Sequence, residues 1–368
     1  MLAAVLDARV DLVDYPHASE VVSEVIAYDA SDWQGVEGDR RWELREEIAR
    51  ALADGPGVLV LRGAFPDTSV IDAATERFLA IIDEERAAGG EAGDHFGKPG
   101  ANSRIWNAQQ KLALSAPEVF AAYFANDPIA IASEAWLGPG YQMTSQVNLV
   151  HPGGQAQEPH CDYHLGFMED AHAEQFPAHT HAMSAALTLQ GAVAHCDMPV
   201  ESGPTMLLPH SQKFPWGYVA WRRDDVKELF ADRMVQLPLA KGDVVFFSPA
   251  LIHGAGTNRS TGIQRMANLL QVSSAFGRAM ESLDRVAMTE AVYPVLLEHV
   301  GQWPSWAIDN VIASCAEGYA FPTNLDRDQP VGGLAPASQA DLVRRALSAS
   351  QPTEVMAAAI READRRRT

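Results

Sequence analysis

The chain has 368 residues, 47% hydrophobic and 21% charged, an ordinary soluble composition with enough length for a sizeable core. Its 48 acidic residues against 28 basic ones give a net charge of −20, a field that repels phosphate backbones and anionic lipid, so nucleic acid and membrane are excluded as expected partners. Cys161, Cys196 and Cys315 form no C-x-x-C pair and are odd in number, which argues against a disulfide framework or thiolate zinc and for a reducing cytoplasm.

The opening residues Met1 to Asp7 lack a basic segment and reach an acid too early for a signal peptide. Arg41 to Ala53 carries Leu44, Ile48 and Leu52 at four-residue intervals and predicts a helix that ends at Asp54-Gly55-Pro56-Gly57. Val58 to Leu61 predicts a short buried strand, Thr68 to Glu84 a second helix, and Gly89 to Asn102 a polar, glycine-rich loop beside a pocket. After a helical stretch from Pro117 to Trp136, strands are expected at Gln142–Val150, Glu158–Tyr163, Ser184–Val193, Thr205–Leu208, Met234–Leu237, Asp243–Phe247 and Ile263–Val272. Glycine and proline punctuate them at Pro152-Gly153-Gly154, Ser202-Gly203-Pro204 and Lys241-Gly242. The uncharged run Ala135 to Gln157 is long enough to cross a bilayer, but its Gly, Pro, Gln and Asn content suits a buried strand pair with a turn. Helical periodicity returns at Met288–His299, Trp306–Glu317 and Ser338–Leu347, placed against the outside of the core or at a subunit contact.

This order predicts a mainly β, α+β fold with flanking helices around a double-stranded β-helix (a jelly-roll or cupin-like core). A single domain, 1–368, is expected in three parts: a helical elaboration with one strand over 1–105, the jelly-roll core over 106–280, and a helical extension over 281–368.

His160-Cys161-Asp162 carries the chemistry. Side chains alternate along an extended strand, so His160 and Asp162 point the same way and Cys161 points away. His253, in Phe246-Phe247-Ser248-Pro249-Ala250-Leu251-Ile252-His253-Gly254, supplies a third ligand from a distant strand. Two imidazoles and a carboxylate on one face of an octahedral ion leave the other face open, the arrangement of non-haem Fe(II) oxygenases. Arg265 lies twelve positions after His253, at the parity of Ala267, Leu269 and Gln271 on an otherwise uncharged face. A buried guanidinium needs an anion, and the distal carboxylate of 2-oxoglutarate suits its two-pronged donor geometry. Arg259 competes for that role but falls in a turn.

His160-x-Asp162, Glu201-Ser202-Gly203-Pro204-Thr205 running to Leu208-Pro209-His210-Ser211, Gly242-Asp243 before a strand, and His253-Gly254-x-Gly256-x-Asn258-x-Ser260 followed by Arg265 resemble, in that order, the phytanoyl-CoA dioxygenase family. The resemblance covers roughly Gln142 to Val272. It implies Fe(II) held by His160, Asp162 and His253, 2-oxoglutarate held by Arg265, and polar contacts to that co-substrate from Gln146 and Asn148. It also implies consumption of O2 and hydroxylation of an unactivated C–H bond in a small-molecule substrate, with succinate and CO2 released. The chain departs from the family at Pro209-His210-Ser211-Gln212 and at Ala255, where a serine is frequent; neither change removes a metal ligand.

Tyr163, His164, Trp106 and Trp216 are candidate substrate contacts, with Phe167 and Trp221 as further members of an aromatic wall. His172, His179 and His181 read as a polar loop, and His210 as a turn cap. Lys213, Arg222, Arg223 and Lys227 could receive a CoA phosphate, although Asp224 and Asp225 favour a solvated, ion-paired helix. A monomer or homodimer fits equally. The alternatives are a non-redox cupin-like binding protein, a zinc hydrolase, or a 2-oxoglutarate oxygenase that performs desaturation or ring formation.

Overall fold

The computed structural model describes residues 1–89, 102–164, 166 and 168–367. Its strands are β1 (Glu20–Val22), β2 (Val25–Asp29), β3 (Val58–Arg62), β4 (Asn102–Ile105), β5 (Gln142–Val150), β6 (Thr188–Ala194), β7 (Met206–Leu207), β8 (Val244–Phe247), β9 (His253–Gly254) and β10 (Arg265–Ser273). The large sheet runs β1-β2-β3-β8-β6-β10-β5-β4, and a small sheet pairs β7 with β9. Every pairing is antiparallel except β2 with β3. The two sheets enclose a cavity, the double-stranded β-helix that the strand pattern predicts.

Alternation sorts the side chains. On β10, Met266, Leu270 and Val272 join the helix-covered core, as do Met143, Val147 and Leu149 of β5 and Val244 and Phe246 of β8. The opposite parity (Ala192, Ala194, Val245, Phe247, Ala267, Leu269) faces the cavity. Helices from both ends of the chain cover the outer face, including Gly38–Ala53, Ser69–Ala87, Pro117–Phe124, Arg285–His299 and Ser305–Cys315. They share one apolar core containing Leu44, Phe78, Phe120, Val292 and Val311. No helix among the described residues is long and apolar enough to cross a membrane.

Several expectations need correction. The first 105 residues contribute four strands rather than one. β1 and β2 form a hairpin through Ser23 and Glu24, at φ 51° and 66°, so the turn lacks the Asn-Gly or Asp-Gly signal that normally marks this conformation. Glu158–Tyr163 is extended but holds only isolated bridges among the described residues, His160 to His253 and Tyr163 to Gly166, rather than a full strand. Met234–Leu237 likewise keeps one bridge, Leu207 to Val235. Ser184 to Ala186 ends a helix (Ala178–Ala186), and β6 begins only at Thr188. His172, His179 and His181 stand on short helices rather than in a loop. The uncharged run is the end of one helix (Asp127–Leu137) followed by the single strand β5, not a strand pair. Of the expected loop Gly89 to Asn102, residues 90–101 lie outside the described residues, and Asn102 opens β4.

Candidate metal centre and co-substrate cavity

His160 and His253 face each other across an antiparallel bridge, each amide donating to the other's carbonyl at 2.8 and 2.9 Å. Two residues on, the Asp162 amide donates to the Pro249 carbonyl at 3.0 Å, which keeps the segment extended and the parity intact. Cys161 turns the other way, donating from Sγ to the Ala250 carbonyl inside a separate apolar cluster.

Each imidazole is fixed by the carbonyl two residues before it. His160 Nδ1 lies 2.7 Å from Glu158 O, and His253 Nδ1 lies 2.8 Å from Leu251 O. A carbonyl only accepts, so both Nδ1 atoms carry the proton and both Nε2 atoms present a lone pair. Those Nε2 atoms stand 3.8 and 3.7 Å from Asp162 Oδ1 and Oδ2 respectively. One ligand atom from each of the three residues lies within 4.8 Å of the others. Asp162 Oδ1 is buried with no hydrogen-bond partner among the described residues, while Oδ2 accepts from Gln190 Nε2 at 2.5 Å. Burial alone would raise the Asp162 pKa, but His253 and His160 in their protonated forms, together with the Gln190 donor, override it and hold the carboxyl below the usual carboxylate range, a pull that a bound cation would supply to the neutral imidazole form. Two imidazole lone pairs and an orphaned carboxylate oxygen are a donor set that fits a divalent transition metal.

Arg265 opens onto the same cavity. It is buried, and Nη1 donates to the carbonyls of Ser202 (3.3 Å) and Gly256 (3.1 Å), with no carboxylate in ion-pair range among the described residues. Burial pushes its pKa down to about 10. Both gripping carbonyls belong to turns that pass backbone to backbone. A Cβ on Gly256 would meet Pro204 O at 2.7 Å and Gly203 O at 2.9 Å, and Gly203 itself sits at φ 73° against the Thr257 carbonyl. Glycine is required at both places for the turns to close on the guanidinium.

The cavity also gathers Gln146, Asn148 and Trp106, together with residues that sequence reasoning did not single out: Arg104, Gln190 and Gln271. Both ends of the Gln146 amide are engaged: Arg104 Nη2 donates to Oε1, and Nε2 donates to Glu281 Oε1 at 3.3 Å. Asn148 Oδ1 accepts from Asn102 Nδ2 at 3.2 Å. The Arg104 guanidinium lies 4.6 Å from the centre of the Trp106 ring. Glu281 is a half-buried acid whose pKa burial raises, against the Asn107 amide, Gln146 and Arg104. Only register reveals these neighbours; Gln190 follows a helix and shares no motif with His160-x-Asp162.

Of the other candidates, Tyr163 stacks on Tyr218 with ring centres 4.3 Å apart, shares a hydrogen bond with His181, and lines with Trp221 a second depression that also contains His160 and Asp162. His164 is buried outside the cavity, bonded to Thr188 Oγ1 and the Arg278 amide, and burial lowers its pKa. Trp216 is 48% exposed and lines a separate surface depression. Trp221 sits beside His160, ring centres 6.3 Å apart, under the Arg222 guanidinium. Phe167 lies outside the described residues. Arg222 pairs with Asp170, Arg223 with Asp225 and Lys227 with Glu158, so these three cations are already matched by neighbouring acids, while Lys213 Nζ lies 3.1 Å from His210 Nδ1. His210 is buried at φ 70°, with Nδ1 3.2 Å from Gly55 O.

Residues 53–267 match the phytanoyl-CoA dioxygenase (PhyH) family. No curated protein matches the chain. Among solved structures, the non-haem α-ketoglutarate-dependent epimerase SnoN from nogalamycin biosynthesis is 22% identical, over 63% of this chain and 81% of that one, with a TM-score of 0.44. The α-ketoglutarate-dependent carbocyclase SnoK from the same biosynthesis is 19% identical, over 73% of this chain and 92% of that one, with a TM-score of 0.47.

Proposed function

The chain belongs to the phytanoyl-CoA dioxygenase family of Fe(II)- and 2-oxoglutarate-dependent oxygenases, and on that premise we propose that it hydroxylates an unactivated C–H bond of a small molecule. In this reading His160, Asp162 and His253 hold Fe(II), and Arg265 holds the distal carboxylate of 2-oxoglutarate. The observation that carries it is a buried guanidinium that has no acidic partner among the described residues, in the same cavity as two imidazole Nε2 atoms and a carboxylate oxygen that no described residue bonds. A non-redox binding barrel has no use for that cation.

When bound, iron with 2-oxoglutarate and O2 supplies an oxidant strong enough to take hydrogen from an unactivated carbon, releasing succinate and CO2. The residues of the chain do the rest. The Glu158 and Leu251 carbonyls orient the two imidazoles, and the Ser202 and Gly256 carbonyls aim Arg265. Apolar walls from Ala192, Val245, Phe247 and Leu269 exclude water from the reacting atoms. The retained carboxylate of Asp162 favours hydroxylation over halogenation, since relatives that bind chloride give up this ligand.

Anaerobic addition of Fe(II) followed by 2-oxoglutarate tests the reading. A visible charge-transfer band that needs both additions is expected. Its absence, with no succinate formed in air, removes the proposal.

A further inference from the structure

Gln190 is fixed more tightly than any motif around it suggests. β6 lies between β8 and β10, and Gln190 stands in register with Phe247 on one side and Gln271 on the other. The side chain is buried and reaches Asp162, Nε2 to Oδ2 at 2.5 Å. The direction of that amide follows from chemistry: an ionised carboxylate only accepts, so the NH2 end must face it. The two oxygens of Asp162 are therefore unequal among the described residues, Oδ2 occupied by a donor and Oδ1 buried without one.

We propose that Gln190 is a positioning residue that makes Asp162 a one-oxygen ligand, an inference that rests on His160, Asp162 and His253 being the metal site. A carboxylate with both oxygens free can chelate an ion through both. Here a second oxygen would take one of the open positions that the co-substrate and O2 require. The Gln190 donor competes for Oδ2 and sets the rotation of the carboxylate, so Oδ1 is the atom left for the ion. The central position of β6 makes this donor rigid, because its backbone is bonded to neighbours on both sides.

The test uses Co(II) as the probe, titrated anaerobically into the full-length metal-free protein without 2-oxoglutarate. Gln190→Met keeps the side-chain length and removes the donor. Gln190→Glu keeps the shape and replaces the donor with an acceptor, and it decides the matter if the methionine variant does not fold. The expected result is Co(II) binding weakened about tenfold to a hundredfold, with a changed visible d–d spectrum as the coordination number changes. Thr144→Val, which removes a hydrogen bond to the Gln271 carbonyl on the same sheet, should leave both readouts as in the parent. Parent-like affinity and spectrum in the Gln190 variants would overturn the proposal. Equal weakening in the Thr144 control would overturn it too, by assigning the effect to a loosened sheet. If the parent itself binds no Co(II), the metal reading fails and this inference falls with it; binding by the parent with unaffected variants removes the role of Gln190 alone.

Discussion

Replacing Arg265 with methionine separates charge from packing at the base of the cavity. On the proposed role of Arg265, the substitution would leave the distal carboxylate of bound 2-oxoglutarate buried without a counter-charge. Breaking one side of a buried pair costs about 3–5 kcal/mol, which is about two to three orders of magnitude in Kd. The ligand-free protein should change little. Burial lowers the Arg265 pKa from 12.5 to about 10, roughly 3 kcal/mol against keeping the cation. That cost is fully present at neutral pH, which lies below both values. Opposing it are the hydrogen bonds to Ser202 O and Gly256 O, each worth about 1.5–3 kcal/mol for a charged donor. At 3.3 and 3.1 Å these bonds belong at the lower end of that range, about 3 kcal/mol together, which offsets the burial cost, so the melting temperature without ligand should stay close to that of the parent. The assay is anaerobic calorimetric titration of 2-oxoglutarate into Fe(II)-loaded protein, with iron binding measured separately. Iron affinity is expected to persist while 2-oxoglutarate affinity falls. Parent-like affinity for 2-oxoglutarate would refute the assignment of Arg265, and so would an equal loss of iron.

Asp162→Ala should abolish succinate formation and metal binding together; turnover that survives would remove the triad. Gly256→Ala forces a Cβ against the Pro204 and Gly203 carbonyls, so a thermal melt should report a loss of about 1–3 kcal/mol. Because Gly256 O grips Arg265, 2-oxoglutarate affinity should drop in the same variant; a drop in stability alone would uncouple the two. His195 lies buried between Thr75 Oγ1 (2.8 Å) and Tyr123 Oη (3.0 Å), and burial lowers its pKa to about 3. Below its ordinary value of 6.5, the unfolded chain takes up a proton that the folded one refuses until about pH 3, so stability falls as pH drops through that window. His195→Gln removes this term, and circular dichroism against pH should show its acid unfolding midpoint moved to lower pH; an unmoved midpoint contradicts the argument. Trp216→Ala, remote from the cavity, should leave kcat and KM unchanged, and a clear rise in KM would return Trp216 to the substrate site.

Much of the core was legible because local rules reached it. β5 falls at the expected bounds, since nine residues with polar Gln146 and Asn148 among apolar neighbours leave little choice of element. The parity argument for His160 and Asp162 held although no full strand forms there, because alternation needs only an extended backbone. One bridge to His253 and one bond to Pro249 are enough to hold it. The β1–β2 hairpin escaped notice for the opposite reason: its turn places Ser23 and Glu24 at positive φ, a conformation that neither residue type advertises. Trp216 was plausible by type and His164 by parity, yet each lines a depression separate from the metal cavity.

What pattern alone cannot supply is register between distant strands, and the site depends on it. Gln190 meets Asp162 because β6 aligns Gln190 with Gln271 and Phe247. A slip of β6 by one residue would turn Gln190 toward the helices and bring Leu189 or Gly191 to the carboxylate. Neither can donate from a side chain. The helix-facing parity resists that slip, since Leu189 and Val193 are fully buried in the outer core. The apolar packing on one face of the sheet thus holds in place the Gln190–Asp162 hydrogen bond on the other. A cavity-forming change such as Leu189→Ala should therefore weaken metal binding as well as stability, although Leu189 touches no ligand. Metal affinity that stays constant while the melting temperature falls would show that the carboxylate is held by its own segment rather than by the sheet.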